Sequence, residues 1–482
     1  MIARLKSGVD RTFTQNAIAR NVSVLVSGTV ATQLLAVAFA PVLTRLYTPE
    51  DFGLLGVYGS LLALIGVVSS LRYEQVIPLP DNDNDAANVT ILSFVVVLVF
   101  SLLSILAVVF FADEIADTFD SPLLADYLWL LPLGVFFSGI YNVFSYWAVR
   151  KKNFSTIAGT RVRQLLTTIV IQLGACRFGG VSLLLAQVAG QTMGAMILAR
   201  QALKGAAFKQ VSRVKIVYVA KRYRQFPLFS TLSGFFNTAG LQLPPLMFAA
   251  YFGSSSAGLY ILANRILSLP MSVIGSAIGQ VFLSHGAETR CPEALGALVR
   301  KVHSSLSQLV APLVAILAIA GPDLFALVFG EPWRSAGTIS RWLAPWLYLV
   351  SITMPLSRLF TIRERQAQSF FFQGLLLIAR VLAILFGYYV GDFYIAVVSF
   401  SLASAASRFV LLFVLLKDFY DNNFLVFKPI FISIFWATLL SSPLIIYKIF
   451  FGFEINYFLA TLIFTSLNFT LRYFFLYREY IK

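Results

Sequence analysis

The sequence predicts an all-α polytopic membrane protein of about fourteen transmembrane helices, with two repeated six-helix lobes and a C-terminal helix pair. Three observations carry this expectation. The chain of 482 residues is 58% hydrophobic and only 12% charged, with a mean hydropathy of +0.80, whereas soluble domains are about 25% charged. Apolar runs near the length needed to cross a bilayer core, about 20 residues, recur from end to end. Two stretches in opposite halves also share one pattern. Pro41, Tyr47 and Gly53-Leu54 in the first correspond to Pro245, Tyr251 and Gly258-Leu259 in the second, an offset of 245 − 41 = 204 that becomes 258 − 53 = 205 after one inserted residue. Such parallel repeats are a way of building transporters, with the substrate site at the repeat interface.

Taken in order, residues 1–21 are basic and polar, without an apolar core or a small-residue cleavage site, and read as a cytoplasmic N-terminal tail. The N-lobe, 22–199, holds spans at 22–44, 53–71, 89–112, 127–149, 164–178 and 180–199. The fifth of these is short, and only Phe178-Gly179-Gly180 separates it from the sixth. Residues 200–225 form a basic cytoplasmic linker. The C-lobe, 226–416, holds spans at 226–252, 257–283, 304–329, 339–360, 370–390 and 393–416. Residues 417–482 carry a Phe- and Ile-rich pair, 425–448 and 455–476, and a short cytoplasmic tail.

Loop charge agrees with this count. With the N-terminus inside, the inner loops together with the adjoining span ends hold 29 Lys and Arg, and the outer loops with theirs hold 5. Arg150, Lys151, Lys152, Arg161 and Arg163 crowd one inner loop, while the outer loop FADEIADTFDSPLLAD has five acids and no base. This is the positive-inside pattern, and it places both termini in the cytoplasm. The net charge of +15 therefore reflects topology and attraction to anionic membrane lipid, and implies no nucleic acid.

Several classes are excluded. Cys176 and Cys291 are far apart and lack metal-ligand spacing, so neither a disulfide framework nor a metal site is expected. No Walker loop is present, no cofactor is implied, and no loop is long enough for a catalytic domain. An enzyme is not expected. His285 and His303 fall in one inner loop and read as surface residues.

Polar residues inside the spans then carry the chemistry. Residues 226–282 read as a membrane hairpin, with Asn237, Gln242 and Pro244-Pro245 in its first arm and Arg265 and Pro270 in its second. An intramembrane arginine is costly and faces a protein or water-filled interior. A guanidinium there grips an anion bidentately or pairs with a helix end. Asn237 and Gln242 suit sugar hydroxyls or helix contacts equally. Gln187 and Gln191, four apart, share a helix face. Thr29, Thr32 and Gln33 give the first span a polar side. Arg380 sits near mid-span, whereas Arg408 is expected to snorkel to the inner surface. Arg45 and Arg72 sit at span ends. Arg72 and Glu74 are too close in sequence for a helical i,i+4 pair, so their partners are expected elsewhere. No Asp or Glu is secure in mid-span; Glu74 and Asp323 lie near span edges.

Residues 43–80 (LTRLYTPEDFGLLGVYGSLLALIGVVSSLRYEQVIPLP) and 224–282, from RQFPLFSTLSGFF to SAIGQVF, resemble the N-terminal and central motifs of Wzx-type oligosaccharide flippases, the polysaccharide biosynthesis proteins. Together they cover about a fifth of the chain. The resemblance implies the multidrug/oligosaccharidyl-lipid/polysaccharide exporter superfamily, with two lobes in a V around a central cavity. It implies an undecaprenyl-diphosphate-linked oligosaccharide as substrate, moved from the inner to the outer leaflet of the bacterial inner membrane, with polysaccharide polymerase or assembly proteins as further partners. It directs attention to Arg45, Arg72 and Arg265. Two rival readings stay open. One is a cation-coupled drug antiporter of the same fold, which requires a buried coupling carboxylate. The other is a non-transport scaffold of a polysaccharide assembly complex.

Overall fold

The computed structural model describes residues 27–204, 206–288, 292–363, 365–450 and 455–481. The N-terminal tail lies outside them. The chain divides into two compact units, Met1–Gly258 and Leu259–Lys482, and the described residues are helical, with no strand.

The first unit begins with α1 (Ser27–Leu46), α2 (Pro49–Val68), α3 (Asp83–Thr118) and the short α4 (Pro122–Tyr127). It continues with α5 (Leu130–Arg150), α6 (Phe154–Gly174), α7 (Gly180–Leu203) and the surface helix α8 (Arg213–Arg222). The helix α9 (Thr231–Glu288) runs from this unit into the next. The second unit holds α10 (Pro292–Phe329), α11 (Arg334–Leu356), the single turn α12 (Leu359–Ile362), α13 (Gln366–Val390) and α14 (Phe393–Leu416). Its last helices are α15 (Lys428–Leu440), α16 (Ser442–Phe450) and α17 (Ile455–Ile481). Among the described residues nine helices are long and apolar enough to cross a membrane, or ten if α15 and α16, bent by 49° at their junction, form one broken span. The expected spans 164–178, 339–360 and 455–476 lie largely on α6, α11 and α17, helices outside these nine.

Local chemistry sets the helix ends. The run Thr48-Pro49-Glu50-Asp51 starts α2 with a capping box, in which the Thr48 side chain accepts from the Asp51 N–H and Asp51 accepts from the Thr48 N–H. Pro49 costs nothing at a position whose N–H has no helical partner. The two expected arms of residues 226–282 meet at Gly253, whose φ of +83° interrupts α9; a side chain would strain that backbone. Asn153 caps α6, eleven residues before the apolar run that begins at 164, by accepting from the Thr156 N–H. The fifth span is therefore extended toward its N-terminus, and Arg161 and Arg163 lie within a helix rather than in the inner loop where the sequence placed them.

Lipid-facing helices gain little from apolar burial against each other, because the surrounding tails are equally apolar; close packing through small residues does more. The contact between α2 and the 254–258 segment of α9 shows this. A Cβ on Gly53 would meet the Ser254 carbonyl oxygen at 1.9 Å, and one on Gly258 would meet the Pro49 carbonyl oxygen at 1.8 Å. Ser254 Oγ also donates to the Glu50 carbonyl at 3.3 Å. The contact is reciprocal in spacing, since Ser254 follows Pro49 and Gly258 follows Gly53 by the same interval, 254 − 49 = 258 − 53 = 205.

Two sequence expectations are overturned here. His303 lies within α10 and is fully buried, with its Nδ1 3.0 Å from the Tyr420 hydroxyl; the apolar α10 face carries it inside, so it is not a surface residue. The side chain of His285 lies outside the described residues. Arg72 pairs with Glu74 after all, Nη1 to Oε1 3.7 Å. The reason is that the chain is not α-helical there. Leu71 and Arg72 adopt left-handed φ values of 48° and 58°, a conformation costly for side-chain-bearing residues. A 3₁₀ turn then follows over Tyr73–Val76.

Candidate functional site

In the first unit four helices turn polar faces to one cavity of about 450 Å³, within the usual range for ligand sites. α1 contributes Thr29, Thr32 and Gln33; α5 contributes Ser138, Tyr141 and Asn142; α6 contributes Arg161, Gln164 and Thr168; α7 contributes Gln187, Gly190 and Gln191. Each set recurs at the three- and four-residue steps that share a helical face. α7 packs on both α5 and α6. Its Gly190 leaves room for Thr168, whose Oγ1 would lie 2.3 Å from an added Cβ.

Arg161 is the charged residue lining this cavity, and its Nη1 donates to Thr29 Oγ1. Thr32 Oγ1 donates to the Gly28 carbonyl at 2.7 Å, and Thr168 Oγ1 donates to the Gln164 carbonyl at 3.0 Å. These hydroxyls are held by their own helices. The side-chain amides of Asn142, Gln164, Gln187 and Gln191 have no hydrogen-bond partner among the described residues. Each supplies two N–H donors and a carbonyl acceptor. The wall is thus one guanidinium amid several available amides, a chemistry suited to hydroxyl-rich ligands with anionic character.

Of the residues expected from the sequence, Gln33, Gln187 and Gln191 meet here. The others are not among the residues that line it. Gln242 accepts from Ser60 Oγ at 3.0 Å, joining α9 to α2, and Asn237 is exposed further along α9. Arg45 is exposed at the end of α1. Arg265 belongs to the second unit; its side chain is exposed and makes no ion pair among the described residues. Arg380 is buried, donates from Nε to Ser404 Oγ at 3.0 Å, and sits 5.4 Å from the Trp346 and Phe400 ring centres. Arg408 does not snorkel: its Nε is buried without a partner among the described residues. Ser138, Tyr141, Asn142, Gln164 and Thr168 were not singled out, although their i,i+3 and i,i+4 spacing was a usable signal, and Arg161 was assigned to a loop.

The carboxylates at the span edges behave differently from each other. Asp323, buried in α10, is paired with Arg334 at 2.7 Å and Lys448 at 2.6 Å, which makes it a structural tie among α10, α11 and α16. Glu74 is 4% exposed, accepts from Ser70 Oγ, and lies outside the spans. Burial raises its carboxyl above the usual carboxylate range, against the opposing pull of Ser70, the local backbone and Arg72. The folded chain therefore holds this proton more tightly than the unfolded chain. The resulting stability is complete below the unfolded value and is lost as pH rises through the folded value. Glu74→Gln should accordingly remove that loss and raise the thermal midpoint at neutral pH. Midpoints of the two proteins that fall in parallel from about pH 4 to pH 8 would contradict it.

The family profile described as polysaccharide biosynthesis protein matches residues 42–338. The chain belongs to this family. The polysaccharide biosynthesis proteins to which it is similar include the succinoglycan biosynthesis transport protein ExoT of Rhizobium meliloti (strain 1021). That protein is 24% identical over 340 residues, covering 69% of this chain and 67% of the relative. Among solved structures the chain is similar to the lipid II flippase MurJ in its inward closed conformation. The TM-score is 0.74 at 16% identity, over 95% of this chain and 99% of that one. It also resembles an inward-facing multidrug-resistance transporter of the MATE family, of the MOP superfamily. There the TM-score is 0.58 at 14% identity, over 87% of this chain and 94% of that one. This family member thus has the fold of those solved structures, and its described residues hold nine helices long and apolar enough to cross a membrane, in line with the all-α multi-pass architecture expected from its sequence.

Proposed function

We propose that the protein moves an undecaprenyl-diphosphate-linked oligosaccharide from the cytoplasmic to the periplasmic leaflet of the bacterial inner membrane by alternating access. The observation that carries this reading is the polar cavity of the first unit, with Arg161 among unpaired amides inside a cluster of apolar helices. Sugar hydroxyls need amide donors and acceptors, and a diphosphate needs a cation that binds without proton transfer. Family membership and the transport role named for ExoT support the substrate class.

On this reading Gln33, Gln187 and Gln191 contact sugar, and Arg265 and Arg72 remain candidates for the diphosphate path, with Asn237, Gln242, Arg380 and Arg45 beside them. We also read residues 22–199 and 226–416 as duplicated lobes, with both termini cytoplasmic.

The deciding experiment is leaflet translocation in proteoliposomes loaded with undecaprenyl-diphosphate oligosaccharides from the source organism. Protein-dependent exposure of the sugar to an external probe is the expected result. A folded, correctly oriented protein that moves none of its own lipid-linked sugar would overturn the proposal.

A further inference from the structure

The second unit contains a charged group that this transport reading does not use. Arg408 lies on α14, one helical turn beyond Ser404, the residue that receives the Arg380 Nε at 3.0 Å. Residues four apart share a helix face, so a second guanidinium stands close to Arg408. Arg408 itself makes no hydrogen bond or ion pair among the described residues, and its Nε is buried. An arginine is not deprotonated in proteins, and an uncompensated charge away from water is expensive. Such a group calls for a counter-charge.

The space for one is present. A pocket of about 50 Å³ adjoins Arg408 and is lined also by Ser357, Phe372, Gln373 and Ser407. Ser357 Oγ and Ser407 Oγ donate to the carbonyls of Met354 and Ala403, at 2.7 and 2.8 Å, so neither hydroxyl proton is free for a ligand. The donors that remain are the Arg408 guanidinium and the Gln373 amide, which has no partner among the described residues. The volume holds a monatomic ion with about one water, given a share of about 30 Å³ per water in the liquid. It is small for a sugar or a bulky phosphodiester. We propose that this pocket binds a small inorganic anion, with chloride as the representative ion and Arg408 and Gln373 as its donors.

The assignment does not depend on which substrate the protein moves, and it is tested without transport. The full chain is purified in detergent and its thermal midpoint is measured in sodium chloride and in sodium gluconate at equal ionic strength. Chloride should raise the midpoint saturably, by about 2 °C or more, and bromide should follow it. Arg408→Gln should show equal midpoints in the two salts, whereas Arg163→Gln, altered at an exposed site on α6, should keep the response. Should Arg408→Gln fail to fold, Gln373→Ala at an exposed position serves instead. It should raise the half-saturating chloride concentration by about tenfold, as expected for loss of a hydrogen bond to a charged group. Equal midpoints in both salts for the wild type, an undiminished response in Arg408→Gln, or an unchanged half-saturation in Gln373→Ala would each overturn the proposal. So would stabilisation by inorganic phosphate with none by halides.

Discussion

Arg161→Ala should lower translocation of the lipid-linked sugar by about tenfold to a hundredfold, the range expected when one charged hydrogen-bond donor is removed from a ligand site. The residue is the cation of a cavity otherwise walled by neutral groups, and Thr29 holds its guanidinium in place. Arg161→Lys retains the charge but loses the planar fork that grips an oxyanion in two places, so it should fall between wild type and Ala. Thr29→Val should cost less than either, since it frees the guanidinium without removing it. The measurement is proteoliposome translocation normalised to folded, inserted protein. Wild-type rates in Arg161→Ala would exclude this cavity as the place where charge is recognised.

The second large effect is on stability. Gly258→Val would push side-chain atoms into the Pro49 carbonyl, because even the first carbon would sit 1.8 Å from that oxygen. Backbone cannot yield as a flexible side chain does, so the cost should reach the upper end of the overpacking range, about 3 kcal/mol. Gly53→Val should behave alike, since its added carbon would lie 1.9 Å from the Ser254 oxygen. Gly66→Ala is the comparison, because nothing lies within 4 Å of the added carbon. Thermal midpoints of the three variants test this. A Gly258→Val midpoint matching that of Gly66→Ala would show that α2 and α9 are not in contact there.

Much of the architecture was readable in advance because bilayer-length apolar runs leave few alternatives: the described residues are helical, and nine of their helices are long and apolar enough to cross a membrane. The polar side of the first span and the Gln187–Gln191 pair led to the cavity wall for the same reason: period-3.6 spacing survives without tertiary information. Arg161 escaped because residues 154–163 are too polar to register as a span. The Asn153 cap marked the helix start, but hydropathy outweighed it. The Arg72–Glu74 pair was invisible for another reason. Left-handed φ at two consecutive residues with side chains is imposed by packing, and no local propensity announces it. Arg265, prominent in sequence as a charge in an apolar run, belongs to the second unit and is not among the residues that line the cavity of the first.

The unpaired amides of Asn142, Gln164, Gln187 and Gln191 bear on stereochemical selectivity. Rotating such a group by half a turn exchanges its donor and acceptor ends, and no neighbour among the described residues pins any of the four. A wall of this kind registers that a hydroxyl is present more strongly than whether it is axial or equatorial. Epimeric repeat units should therefore be handled at similar rates, and discrimination should arise from the length and branching of the glycan.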